Sequence, residues 1–219
     1  MECVNPKKNY LSASLWIFLA LNLDIIVHIA TTMLIGDDVI YRAAVSKTVT
    51  IILWSISVAI VIKYLKIKKP SITVNHEGIL KISIKFLVTI ILIAVVNYNV
   101  KSLGVIQIIH EYQYSMAHYN QLGFVTFMLQ IIYYFLEASL ITLIIITGSK
   151  WGLNKRYNHI MPYGGLILAL TWGAVHFLTQ GISVGLYGVF IALLIGLGYL
   201  HTDKNTVLTY IAALFIFLI

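Results

Sequence analysis

The chain has 219 residues, 60% hydrophobic and only 11% charged, with a formal net charge of +7. Soluble domains carry roughly a quarter charged residues, so with a mean hydropathy of +0.91 this composition excludes a soluble enzyme and points to an all-α, polytopic transmembrane bundle. The single cysteine, Cys3, excludes an internal disulfide and a thiolate metal cluster, and in so apolar a chain the positive balance belongs to loop topology and anionic lipid headgroups, not to nucleic acid.

A helix needs about 20 apolar residues to cross a bilayer. About seven apolar segments answer to this, at 11–35, 45–65, 82–100, 123–147, 163–178, 182–200 and 206–219. The fifth and seventh are short for a full span. Pro6, Pro70 and Pro162 all fall between segments, where helix breakers belong. The first segment is long and has no convincing cleavage site, so it reads as a retained helix and not a signal peptide. It carries Asp24 and His28, four apart and hence on one face. Such a pair lines a polar cavity or ion path, or makes a local pair turned toward the bundle. Asn22 in this segment, and Asn97 and Asn99 at the end of the third, are expected to bond across helices.

The stretch 101–121 is rich in Tyr, His and Gln, with Tyr112, Tyr114, His118 and Tyr119. It reads as an interfacial amphipathic helix, or as a binding surface for an external partner. Glu137 then stands alone in the fourth segment, and His176 stands alone in the fifth. A carboxylate in hydrocarbon is kept only where a partner or a water-filled cavity receives it. Glu137 lies ten residues before Thr147, a depth of about 15 Å; His176 lies thirteen after Tyr163, about 20 Å. On adjacent antiparallel helices they can meet, either as a structural pair or as a site that activates water or ligates a metal. Along the sixth segment, Gly181, Gly185, Gly188, Ala192 and Gly196 present small residues for close helix packing, within the bundle or against a partner's helix.

Loop charges set orientation. Lys7, Lys8, Lys63, Lys66, Lys68, Lys69, Lys81, Lys85, Lys150, Lys155, Arg156 and Lys204 fall on one side, twelve of fifteen basic residues. Arg42, Lys47 and Lys101 fall on the other, with Asp37, Asp38 and Glu111. The expectation is a cytoplasmic N-terminus and an outside C-terminus.

From Tyr133 onward the order of residues resembles the CPBP (CAAX protease and bacteriocin-processing, or Abi) intramembrane proteases. Members show Glu-Glu-x-x-x-Arg, then Phe-x-x-x-His, then His-x-x-x-Asn on a late helix. Glu137-Ala138-Ser139-Leu140-Ile141-Thr142 and Trp172-Gly173-Ala174-Val175-His176 stand where the first two motifs belong. Ala138 replaces the second glutamate, Thr142 the arginine and Trp172 the phenylalanine. The third motif should fall near Ala212 or Ala213, in a segment without histidine or asparagine. A literal His-x-x-x-Asn at His201–Asn205 contains Asp203 and Lys204 and reads as a polar turn. The resemblance implies an N-terminal three-helix region with its interfacial loop at 1–122, and a CPBP-like core at 123–219.

It also implies a degenerate site in a plasma-membrane protein of bacteria, with Glu137 and His176 as catalytic-type residues. Zinc is implied only if the site is active. The principal reading is a non-catalytic scaffold or regulator that binds another membrane or envelope protein. The second is an active intramembrane endopeptidase, recruiting a residue such as His28 to complete the site. Bacteriocin processing or self-immunity suits either. A third is a transporter using Asp24, His28 and Glu137.

Overall fold

The computed structural model describes residues 9–36, 38–65, 76–101, 106–154 and 160–219. Cys3, Pro6, Asp37, Pro70, Lys7, Lys8, Lys66, Lys68, Lys69, Lys155 and Arg156 lie outside the described residues. Within them the chain is helical, with no strand. The helices are α1 (Tyr10–Leu21), α2 (Leu23–Ile35), α3 (Val39–Leu65), α4 (His76–Lys101) and α5 (Gln107–His118). They continue as α6 (Gly123–Asn154), α7 (Tyr163–Leu168), α8 (Ala174–Gln180), α9 (Ile182–His201) and α10 (Thr206–Leu218).

Five helical runs among the described residues are long and apolar enough to cross a membrane: Tyr10–Ile35, Val39–Leu65, Lys81–Val100, Asn120–Asn154 and Ile182–His201. The fifth apolar segment is instead built of three pieces, α7, a π turn and α8, and α10 has only 13 residues. Large apolar side chains stand exposed along α3 and α4, including Ile52, Ile56, Ile60, Leu87, Ile91 and Val95. In water such a surface would aggregate; in a bilayer it is the lipid-facing side.

The organising element is α6. From Leu140 to Ser149 every residue is buried, and a helix that is apolar and covered all round belongs at the centre of a bundle. Helices α1, α3, α5, α7 and α10 pack against it. Ser14 Oγ donates to Thr147 Oγ1 at 2.7 Å and ties α1 to this core.

Two local breaks position the site. The first segment is interrupted at Asn22, whose Nδ2 donates to Phe18 O at 2.8 Å. A side chain that competes for its own helix's carbonyl loosens the backbone ladder. Trp54 Nε1 from α3 donates to Ala20 O at 2.9 Å beside this break. The second break is the π turn over Ala169–Gly173, where the Ala174 N–H reaches back to Ala169 O. Single π turns inside α-helices recur at functional sites.

Glycines set how closely this broken run approaches its neighbours. A Cβ on Gly164 would lie 2.2 Å from Ile145 O of α6, and one on Gly196 would lie 2.5 Å from Gly165 Cα. Gly185 would meet the Phe177 ring at 2.2 Å, and Gly188 faces Gly173. Gly185, Gly188, Ala192 and Gly196 thus pack against the run from α7 to α8, inside the bundle. Gly181 departs from that stripe. It caps α9 at φ 90, with nothing within 4 Å of its would-be Cβ.

The segment after α4 folds back. Helix α5 packs along α6 and touches α10, with Tyr112 against Phe127 edge-on at 5.3 Å between ring centroids. The expected helix is present and is docked as a hairpin partner on α6, where Tyr134 and Glu111 bond across the pair.

Candidate functional site

Glu137 sits on α6 just before its fully covered stretch, so its side chain looks into the middle of the bundle instead of into packed core. His176 sits on α8, one turn after Trp172 of the π turn. Both line one cavity of about 630 Å³, which also takes in Asp24, Tyr133, Trp172 and Glu111. The cavity reaches from Glu137 to Val100, Thr179 and Gln180, at the ends of α4 and α8. Its floor and sides are apolar, with Ile25, Trp54, Val175, Ile216 and Phe217.

The two residues converge without bonding to each other. Trp172 Nε1 donates to Glu137 Oε1 at 3.1 Å. The indole ring also lies against the His176 imidazole, 4.5 Å between centroids, so Trp172 stands between the acid and the base. His176 Nδ1 is 2.8 Å from Trp172 O. A carbonyl only accepts, so Nδ1 carries the hydrogen, and in the neutral ring Nε2 is left as an acceptor facing the cavity.

Asp24, from just past the Asn22 break, accepts from Tyr133 Oη at 3.1 Å. Its carboxylate is within electrostatic reach of His176 and Glu137. Of this pair, Asp24 lines the cavity and His28, one turn on, stays exposed at its edge, still within electrostatic reach of Asp24. Glu111, which the sequence placed in an outer loop, enters through the α5 hairpin. It accepts from Tyr134 Oη at 2.7 Å and Gln107 Nε2 at 2.8 Å.

The three asparagines divide. Asn97 bridges helices, accepting from Tyr187 Oη and donating to Ile216 O at 3.2 Å. Asn22 and Asn99 bond their own helices, at Phe18 O and Val95 O. A carbonyl four residues back is always within reach of an Asn on a helix, and only tertiary contact offers the alternative.

The position expected for a third motif is apolar. Ala212 and Ala213 are buried at 3% and 0% exposure, and α10 contributes Ile216 and Phe217 to the cavity. His201–Asn205 is a turn: Asp203 and Lys204 take positive φ, and Asn205 caps α10 by accepting from the Val207 and Leu208 amides. Among the described residues no three His, Cys, Asp or Glu side chains come together to hold a metal ion. The donor set among the described residues does not fit a protein-bound zinc.

A scan of protein-family models, a search of curated proteins and a search of solved structures each return no match.

Tyr133, Trp172 and Glu111 are the site residues that sequence reasoning passed over. Trp172 stood out only as a departure from a phenylalanine. Its indole N–H was the available signal, because a buried tryptophan seeks an acceptor and Glu137 was the nearest buried carboxylate in the order of the chain.

Proposed function

We propose that this chain is an integral membrane protein of CPBP-like descent whose Glu/His site has lost peptidase chemistry. It serves as a scaffold or regulator for another membrane or envelope protein. The observation that carries this reading is what faces Glu137: an indole N–H and apolar α10 side chains, where a hydrolytic site needs further donors. Peptide hydrolysis builds an oxyanion, and each lost oxyanion donor costs about 3 kcal/mol in the transition state. Thr142 at the arginine position is spent on its own helix, donating to Ala138 O. The loop charges support an N-terminus in the cytoplasm and a C-terminus outside, and a plasma-membrane location belongs to the family reading.

One observation favours the endopeptidase reading instead: His176 Nε2 and Glu137 share a cavity with room for water and a peptide. A cleavage assay separates the two. Full-length protein in lipid nanodiscs is incubated with membrane-embedded reporter peptides, and products are read by mass spectrometry. The scaffold reading expects the same product profile from wild type and from the Glu137→Ala, His176→Ala double variant. Products made by the wild type and lost in both single variants would overturn it.

A further inference from the structure

We propose that the cavity beside Glu137 is a binding site for a free hydrophobic alkylammonium, a small organic cation with N–H hydrogens on an apolar body. This goes beyond the scaffold reading and does not depend on the family proposal.

Charge comes first. Asp24, Glu111 and Glu137 all line the cavity, and no lysine or arginine does among the described residues. Lys47 lies within electrostatic reach of Glu111. Among the described residues Asp24 has only histidines within electrostatic reach to answer it, and Glu137 has a second carboxylate, Asp24, within such reach. Carboxylates in the interior of a membrane protein call for a countercharge.

Hydrogen bonding points the same way. The hydrogens of the cavity's aromatic and threonine side chains are already committed. Trp172 donates to Glu137, Tyr133 to Asp24, Tyr134 to Glu111 and Tyr187 to Asn97. Trp54 and Thr179 donate to backbone carbonyls. What remains at the deep end is acceptors: Glu137 Oε2 and His176 Nε2, neither with a donor among the described residues. A ligand that fits must bring hydrogens and positive charge together.

Size and shape select an organic cation over a metal ion. Inorganic cations need several oxygens converging at short range, and the described side chains do not converge in that way. The volume of about 630 Å³ lies in the range of small-molecule sites. Ile25, Val175, Ile216 and Phe217 offer apolar wall for an alkyl body, and Trp172 and Tyr133 add aromatic lining beside the carboxylates.

The test uses the full chain in zwitterionic nanodiscs, with empty discs as the partition blank, and calorimetric titration of hexylammonium. Hexyltrimethylammonium, hexanol and hexanoate share the alkyl body and serve as comparators. The expected result is saturable hexylammonium binding, weaker binding of hexyltrimethylammonium, and none of hexanol or hexanoate. Glu137→Gln is expected to weaken hexylammonium about tenfold, the scale of a lost charge-assisted hydrogen bond, and Thr48→Ala, an exposed position that bonds only Ala44 O of its own helix, to leave it unchanged. Equal binding of hexanoate or hexanol, or no hexylammonium binding above empty discs, would overturn the proposal on the wild type alone. So would an unaltered affinity in a Glu137→Gln protein that keeps the wild-type thermal midpoint.

Discussion

Asn97 and Asn99 show how one residue type takes two roles two positions apart. Asn97 is 3% exposed and joins α4 to α9 and α10 through Tyr187 and Ile216. Asn99 is exposed and bonds only Val95 O of its own helix. Replacing Asn97 by alanine strips the Tyr187 hydroxyl of its acceptor, at a cost of about 1–2 kcal/mol. The Asn99→Ala change is expected to stay within about 0.5 kcal/mol, as surface changes do. Thermal unfolding of the two variants in nanodiscs reads the difference, and equal midpoints would contradict the bridging role. Trp172 makes the same point at the site. It is 5% exposed, and its indole N–H occupies one oxygen of Glu137.

The broken run from α7 to α8 is held at close range by glycines on both sides. Gly165 and Gly196 meet backbone to backbone, so neither tolerates a side chain unless α7 and α9 move apart. Gly196→Leu is expected to cost about 3 kcal/mol, at the upper end of overpacking. Gly181→Ala tests a different physics. Its Cβ would meet nothing within 4 Å, but φ is +90, a region reserved for glycine, and the backbone cost is about 1–3 kcal/mol. A falling thermal midpoint in both variants is expected. An unchanged midpoint in Gly196→Leu would mean that the helices are not in the described contact. The glycine spacing was legible in the sequence; that its covering partner is this chain's own α7–α8 run was not. Nor was the π turn, because Ala169–Gly173 carries no proline to announce it.

At the scale of the molecule, the basic residues of the loops predict a cytoplasmic N-terminus and an outside C-terminus. Alkaline phosphatase fused after Ile219 is expected to be active, and fluorescent protein fused before Met1 to fluoresce. The reverse pattern would invert the bundle. The cavity draws on residues from both sides of position 122, so the two regions drawn from the sequence share one site. Composition and apolar run length settled the helical membrane architecture by themselves, because hydrocarbon forces backbone bonds to close within each helix wherever the chain crosses it. They also singled out Glu137 and His176, since an ionisable group stands out against an apolar run. Which groups surround them was decided only by the tertiary structure. The break at Asn22 turns Asp24 inward and leaves His28 outside, the hairpin of α5 brings in Glu111, and the π turn sets Trp172 between acid and base. Those are matters of helix rotation and register, and a uniformly apolar sequence encodes them too weakly in its periodicity to be read without the packed neighbours.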